Sequence, residues 1–432
     1  MSFIQTTSRA RLVISVLLCA SLSLVAACSR QDNSQTADAA GLTVFEGARV
    51  IVGDGSAPIE NATITVREGR IEQVGPAGEV PSGATRVDVR GKTIMPGLVD
   101  AHIHPRSQER ETLVEDLQRR AYYGVVAAMS MGQDPGDVAY QVREEVIPNA
   151  ARFRTAGRGF SAPEPGRSTV PYWVSTEEEA RKAVQELATR KPDIVKIWVD
   201  DRMGKYKRLT PALYGAIIDE AHTHGLRTTA HVWFLEDAKG LLRAGLDHFA
   251  HGVRDRDIDE ELVTLFNERP NVMLVPNLPN RGVAADLSWL SESVPAGELQ
   301  KLQAASADNA EEQKMYGLQA RNLAKLQAAG VRIALGSDGN SPYAAHHEIA
   351  DMVAAGLSPH DAIVAATRNG AELLRIDDIG TIAGGKSADF IVLDANPLDD
   401  ITNTRRINAV YLRGVAVDRA GLRSKWMGQT TN

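Results

Sequence analysis

Two closely spaced histidines have the geometry needed to bind one metal ion. His102 and His104 end a predicted strand that begins at residue 98. Residues i and i+2 of a strand face the same side, so both imidazoles can reach the same cation. The alternative for this pair alone is two unrelated surface histidines.

Three further residues with metal-binding side chains each close a later predicted strand. They are His231, His251 and Asp338. The carboxyl ends of the strands in a parallel barrel face one mouth, so these side chains are expected to meet there. Taken alone, Asp338 is also typical of a turn aspartate that caps the next helix. As the last member of an ordered set, it is predicted to be a ligand or a base.

Lys196 lies inside an apolar predicted strand, 194–199. A barrel would cover that strand on both faces. Burial of an unpaired ammonium group is costly and lowers the pKa of a lysine. A neutral amine beside metal ions reacts with carbon dioxide to give a carbamate, whose two oxygens can bridge two cations. The alternative is a lysine paired with Asp200, Asp201 or another acid.

Alternating strands and helices are predicted to position these residues. The eight candidate strands are 98–102, 124–129, 153–156, 194–199, 228–231, 248–250, 272–275 and 333–335. Helices are predicted between most of them, including 176–189 and 211–224, the second with an N-cap at Thr210 before Pro211. This alternation predicts an α/β fold with a (β/α)8 TIM-type barrel over residues 97–378.

The two ends of the folded chain have a different pattern. Short alternating strands separated by Gly, Asn and Pro occupy residues 42–96, and similar strands recur within 379–432. This pattern predicts one small β-sandwich-like domain built from both chain ends.

Size and charge exclude some classes of protein. The 432 residues are enough for one large core and a smaller domain. The formal net charge of -7 provides no broad basic surface for nucleic acid. We therefore expect a small-molecule substrate and no nucleic-acid partner, and the sequence predicts no oligomeric state.

The first 28 residues resemble a bacterial lipoprotein signal. Arg9 and Arg11 precede a short apolar run that ends in Val25-Ala26-Ala27-Cys28, similar to the lipobox read by lipoprotein signal peptidase. We expect residues 1–27 to be removed, Cys28 to carry a lipid and residues 28–41 to form a polar tether. The alternative is an uncleaved N-terminal anchor. With Ser29 after the cysteine, the resemblance implies a cell-envelope lipoprotein on the periplasmic face of the outer membrane.

The lipid anchor gives a direct prediction. Replacing Cys28 with Ser removes the thiol that takes the lipid, so the variant should leave the membrane fraction and its processing should change. Mass spectrometry of the native protein should find a lipid-modified N-terminus at Cys28. An unmodified N-terminus elsewhere would contradict the assignment.

The order of these residues resembles the two-metal branch of the amidohydrolase superfamily. The segment from Met95 to His104 is similar to that superfamily's first-strand signature, and 380–394 is similar to the return into its β-domain. The likeness is strongest to imidazolonepropionase-like proteins and envelope dipeptidases. Imidazolonepropionase itself has one metal and no bridging lysine, so Lys196 argues against a simple transfer of its activity.

The resemblance implies a role for each residue. His102, His104 and Asp338 would hold one divalent metal ion, and His231 and His251 a second. Carboxylated Lys196 and a hydroxide would bridge the two ions. Zinc suits this ligand set, as do manganese, cobalt and iron. Asp338 would be the catalytic base, taking a proton from the attacking water and passing it to the leaving nitrogen.

The implied reaction is hydrolysis of an amide bond in a small molecule such as a dipeptide or an N-acyl amino acid. The alternatives are a cyclic amide, lactone or organophosphate ester hydrolase, and a ligand-binding surface lipoprotein without catalysis. Five loop residues are candidates for substrate contacts: Arg167, Tyr172, Trp198, Tyr206 and His346. Solvated loop residues are the alternative for these side chains.

Overall fold

The structure is a computed structural model that describes residues 41–428, except residues 79 and 108. The predicted signal peptide, the lipidation site Cys28 and the tether up to residue 40 lie outside the described residues. Within the described part of the chain, no helix combines the length and apolar character that a bilayer-spanning helix needs.

Strands from both ends of the described chain form one sheet. Its strands are β1 (Leu42–Val50), β2 (Ile59–Arg67), β3 (Arg70–Pro76), β4 (Thr85–Asp88) and β5 (Thr93–Pro96), with β16 (Phe390–Leu393), β17 (Ile407–Leu412) and β18 (Val415–Ala416). The order is β18-β17-β16-β5-β1-β2-β3, and β4 also pairs with β1. The antiparallel pair of β5 with β16 joins the two chain ends. Side chains of this sheet form a separate apolar cluster, in which the Phe45 ring contacts the rings of Phe390 and Tyr411.

Eight parallel strands form the barrel. In chain order they are β6 (Leu98–Ile103), β7 (Val125–Ser130), β8 (Arg152–Thr155), β11 (Val195–Val199), β12 (Thr228–Val232), β13 (His248–Ala250), β14 (Met273–Val275) and β15 (Arg332–Ile333). Two short strands, β9 (Phe160–Ser161) and β10 (Tyr172–Trp173), lie between β8 and β11. Hydrogen bonds from Asp193 N to Thr155 O (3.0 Å) and from Ala101 N to Leu335 O (2.9 Å) join the two barrel sheets into a closed ring.

Helices follow most of the barrel strands. They are α1 (Arg110–Tyr122), α2 (Val138–Arg143), α3 (Glu177–Ala188), α4 (Pro211–Thr223), α5 (Leu235–Arg243), α6 (Glu260–Asn267), α7 (Ala296–Ala305), α8 (Ala310–Ala328), α9 (Ala344–Ala354), α10 (Pro359–Val364), α11 (Gly370–Leu374) and α12 (Arg419–Gly428). Short 3-10 segments occur at Ser288–Leu290 and Ile401–Arg405, and a π turn at Ala365–Asn369 joins α10 to α11.

Local signals explain the beginnings of two of these helices. The Thr210 hydroxyl accepts a hydrogen bond from Leu213 N, and Pro211 occupies the first turn of α4. The Thr176 hydroxyl caps α3 through Glu179 N. Both caps satisfy amide groups that have no partner inside the helix. The predicted barrel with an additional sheet domain is confirmed.

Candidate metal centre

Four of the predicted ligands converge at the carboxyl ends of the barrel strands. Asp338 Oδ1 lies 3.2 Å from His102 Nε2 and 3.1 Å from His104 Nε2. Its Oδ2 lies 3.6 Å from His251 Nε2. One ligand atom from each of His102, His104 and Asp338 lies within 4.8 Å of the others, a donor set that fits a divalent metal ion.

A buried carboxylate holds the first strand against the last turn. Asp100 has no exposed surface and accepts hydrogen bonds from Ser337 N (3.0 Å), Ser337 Oγ (2.7 Å) and His102 N (3.3 Å). Asp338 N donates to His102 O at 2.8 Å. These bonds fix the orientation of the two candidate ligands relative to each other, so an approaching cation would meet a preformed site.

Two of the candidate ligands have left-handed backbones. The φ angle is 82° at His251 and 50° at Asp338. Non-glycine residues rarely adopt this region, and it costs about 1–3 kcal/mol where it occurs. The left-handed turn lets the chain leave the strand while the side chain still faces the barrel axis.

The buried imidazoles are neutral at ordinary pH. Burial lowers the pKa of His102 to about 3 and that of His231 to about 4, and it holds the pKa of His251 well below its usual range. Neutral imidazoles offer the lone pairs that metals bind. Burial alone would raise the pKa of Asp338. Charge interactions with His251 and His102, which gain protons only in acid, and hydrogen bonds from His102 and His104 outweigh burial and hold this pKa below its usual range, so the carboxylate is ionised.

Lys196 is buried in β11 and has no exposed surface. Its Nζ has no hydrogen-bond partner within residues 41–428 as described. Burial lowers the pKa of Lys196 to about 7, opposed by Asp338 and helped by Arg254. Asp200 instead binds Arg202 at 2.8 Å, so the alternative of a Lys196–Asp200 pair is not observed.

His231 lies beside the four converging residues. Its ring centroid is 4.4 Å from that of His251. Its Nε2 contacts Asp200 Oδ2 at 3.0 Å instead of facing Asp338. His231 therefore lies at the site, but its Nε2 does not face the Asp338 carboxylate.

Among the substrate candidates, Trp198 lies beside Lys196. Lys196 Nζ is 5.4 Å from the centroid of its ring. The ring packs tightly against Gly132 and Gly159, where an added Cβ would approach it to 2.6 and 2.4 Å. Trp198 therefore forms a fixed wall beside the lysine.

Three other substrate candidates make contacts within the protein. Arg167 pairs with Glu164 at 2.8 Å. The Tyr206 hydroxyl donates to Pro165 O at 3.0 Å. The Tyr172 hydroxyl donates to Glu186 of α3 at 2.8 Å, and the Arg158 guanidinium stacks over its ring. These contacts occupy polar groups of all three side chains in the free protein, and a role in substrate binding stays a prediction for them.

His346, the fifth substrate candidate, also makes its contacts within the protein. Its side chain is completely buried, with Nδ1 3.0 Å from Thr404 Oγ1 and Nε2 2.8 Å from Tyr123 O. The residue lies in the first turn of α9, where the helical backbone directs it toward α1 and the segment 401–405. Both ring nitrogens are engaged, so His346 joins structural elements.

Arg254 and a neighbouring cavity were not predicted from the sequence. Arg254 Nη2 lies 2.6 Å from His251 Nδ1. A cavity of about 560 Å³ opens beside this pair, and Met203, Trp233 and Leu318 contribute apolar surface to it. Arg254 could have been predicted from its position three residues after His251. The cavity could not, because segments distant in sequence line it.

The chain is similar to known proteins over most of its length. The profile of the amidohydrolase family matches residues 93–417. An uncharacterized protein of Mycobacterium tuberculosis is 31% identical over 294 residues, 64% of this chain and 73% of that protein. The imidazolonepropionase of Mycolicibacterium smegmatis is 25% identical over 394 residues, 85% of this chain and 90% of that enzyme.

A solved structure extends the likeness to nearly the whole described chain. The crystal structure of a putative prolidase from Bifidobacterium longum is 27% identical and has a TM-score of 0.71. The match covers 89% of this chain and 98% of that one. The chain belongs to the amidohydrolase family, and it is a metal-dependent hydrolase acting on carbon–nitrogen bonds.

Proposed function

We propose that this protein hydrolyses the amide bond of a small molecule such as a dipeptide or an N-acyl amino acid. The observation that carries the proposal is the convergence of His102, His104 and His251 on the Asp338 carboxylate. The likeness to a putative prolidase supports a dipeptide-sized substrate.

The donor set suits two divalent ions, with zinc as the expected metal. His102, His104 and Asp338 would hold one ion, and His231 and His251 the other. Carboxylated Lys196 would connect them. The unpartnered Lys196 Nζ supports this assignment. Bound metal would acidify a water molecule and polarise the carbonyl of the substrate.

Asp338 is proposed as the residue that moves the proton. Its carboxylate is ionised in the free protein. A carboxylate at this position can accept a proton from the attacking water and deliver that proton to the leaving nitrogen. Its left-handed backbone and the hydrogen bond from Asp338 N to His102 O keep the carboxylate at this place.

The cavity beside Arg254 is proposed to receive one side group of the substrate. Methionine and tryptophan side chains there favour an apolar group of variable shape. The imidazolonepropionase relatives favour a second candidate, hydrolysis of a cyclic amide. Turnover of linear and cyclic amides by one preparation separates the two candidates.

We further propose that the protein acts as a lipoprotein of the cell envelope. The lipobox-like run before Cys28 and the polar segment after it support this location. The Cys28→Ser experiment described above tests it.

Removal of metal should abolish hydrolysis. We expect about two transition-metal ions per purified chain, loss of turnover after chelation and recovery after zinc is returned.

His102→Gln should lose metal and activity, because an imidazole at the centre is replaced. His224→Gln is a matched control, since His224 lies at the end of α4 and contacts Glu220. Elemental analysis and a dipeptide and N-acyl amino acid screen measure both quantities. Full activity in metal-free protein would contradict the proposal.

A further inference from the structure

Asn277 is a buried polar residue beyond the end of β14, a strand that contributes none of the candidate ligands. The residue is 3% exposed. Neither Oδ1 nor Nδ2 has a hydrogen-bond partner among the described residues. Both polar ends of one carboxamide thus lie away from bulk water without a protein partner, which native structures rarely tolerate.

The Asn277 carboxamide lies beside the candidate metal centre. A Cβ added to Gly336 would lie 2.9 Å from Asn277 Nδ2, 2.8 Å from His102 Cβ and 2.4 Å from Val275 Cγ1. Gly336 belongs to the turn before Asp338, between the first and seventh strands of the ring. The absence of a side chain at Gly336 therefore leaves the space in which Asn277 approaches His102 on the inner side of the barrel.

The backbone around Asn277 is fixed. Leu278 N donates to both carboxylate oxygens of Glu348 at 3.1 Å, and Glu348 is itself buried in α9. Val275 O accepts from His251 N at 2.8 Å. Asn277 has a left-handed φ of 44°, which asparagine tolerates better than most residues. The backbone that carries the carboxamide is therefore fixed, as expected for a group that binds a partner of defined position.

We propose that Asn277 is a substrate-binding residue whose carboxamide hydrogen-bonds the amide group of a substrate placed on the metal centre. This inference rests on the proposed hydrolysis of small amides. An asparagine offers both a donor and an acceptor, and an amide offers the complementary pair. In the free protein both atoms are buried without a partner, which is unfavourable. Binding of the substrate amide would supply the missing hydrogen bonds.

The test compares wild type with Asn277→Gly, which removes the carboxamide and accommodates the positive φ. The free protein loses an unpartnered buried group, so its melting temperature should rise or stay within about 2 °C. Substrate binding loses hydrogen bonds, so KM should rise about tenfold while kcat changes less than about threefold. Metal content should not change, because Asn277 is not a proposed ligand. Kinetics on a dipeptide and N-acyl amino acid panel and the affinity for N-acetylmethionine measure the effect.

Asn149→Gly is the matched control. Asn149 also has a left-handed φ, 57°, but its Oδ1 accepts a hydrogen bond from Asp418 N at 3.0 Å, away from the candidate centre. This variant should keep the wild-type KM. If Asn277→Gly fails to fold, Asn277→Asp keeps the shape of the side chain without its donors and should also raise KM.

The outcomes separate the two proposals. Equal KM and equal N-acetylmethionine affinity in wild type and Asn277→Gly would overturn the role of Asn277 and leave the amide hydrolase intact. A lower melting temperature with lost metal would show that Asn277 is a structural residue. Wild-type protein that neither cleaves the panel nor binds the probe would overturn both proposals.

Discussion

Lys196→Ala should fold normally and lose nearly all turnover together with much of its metal. The side chain is buried without a hydrogen-bond partner, so its removal breaks no ion pair of the described chain. Its proposed role is to supply a carbamate between two metal ions, and alanine supplies no anion. We expect short carboxylic acids such as acetate to restore part of the activity by occupying the vacated position. Metal content, melting temperature and turnover with and without acetate measure this.

Lys207→Ala is the matched control and should behave like wild type, because Lys207 is exposed.

The pH dependence of carbon dioxide uptake is a second test, because burial lowers the pKa of Lys196 to about 7. The amine is neutral above that pH and protonated below it, so metal-free protein should take up carbon dioxide more readily above pH 7. Lys196→Ala with unchanged activity, and wild type with one tightly held metal, would contradict the bridging role.

Asp338→Asn should fold normally and lose turnover by at least about 10²–10⁴-fold, the usual contribution of a general acid–base group. An amide oxygen can still bind a metal ion, so metal affinity should weaken without being abolished. The amide cannot accept a proton from water at neutral pH, so the chemical step should suffer most. The rate of wild type should also fall in acid, with an apparent pKa that belongs to the coupled centre.

Single-turnover rates of wild type and Asp338→Asn on one good substrate separate chemistry from binding. Asp361→Asn provides a control, because Asp361 is exposed in the first turn of α10. A metal-replete Asp338→Asn variant with near-wild-type chemistry would leave Asp338 as a ligand or a turn residue only.

The sequence predicted the barrel and the meeting of its strand-end residues because both depend on periodicity. His102 and His104 must face the same side because they are two residues apart at the end of one strand. Residues at the ends of parallel strands must share one mouth, and His251 and Asp338 do so. The roles of these residues in binding metal stay predictions.

The substrate contacts were less predictable, because they depend on where loop and helix residues point. His346 follows the last barrel strand closely, yet the first turn of α9 directs it to Tyr123 and Thr404. Tyr172 lies in a loop whose short strand turns its hydroxyl to α3. Asn277 has no local motif, and its importance appears only when residues distant in sequence are brought together.

The pairing of β5 with β16 has a consequence for the order in which the molecule assembles. Ile94 pairs with Val392, so this part of the sheet forms only after nearly the whole chain has been synthesised. Closing so long a loop carries a large entropic cost and tends to slow folding. β5 is followed directly by β6, which carries His102 into the barrel. Until the C-terminal strands arrive, the outer edge of β5 stays unpaired and prone to aggregation, so the last strands of the chain protect one of the early ones.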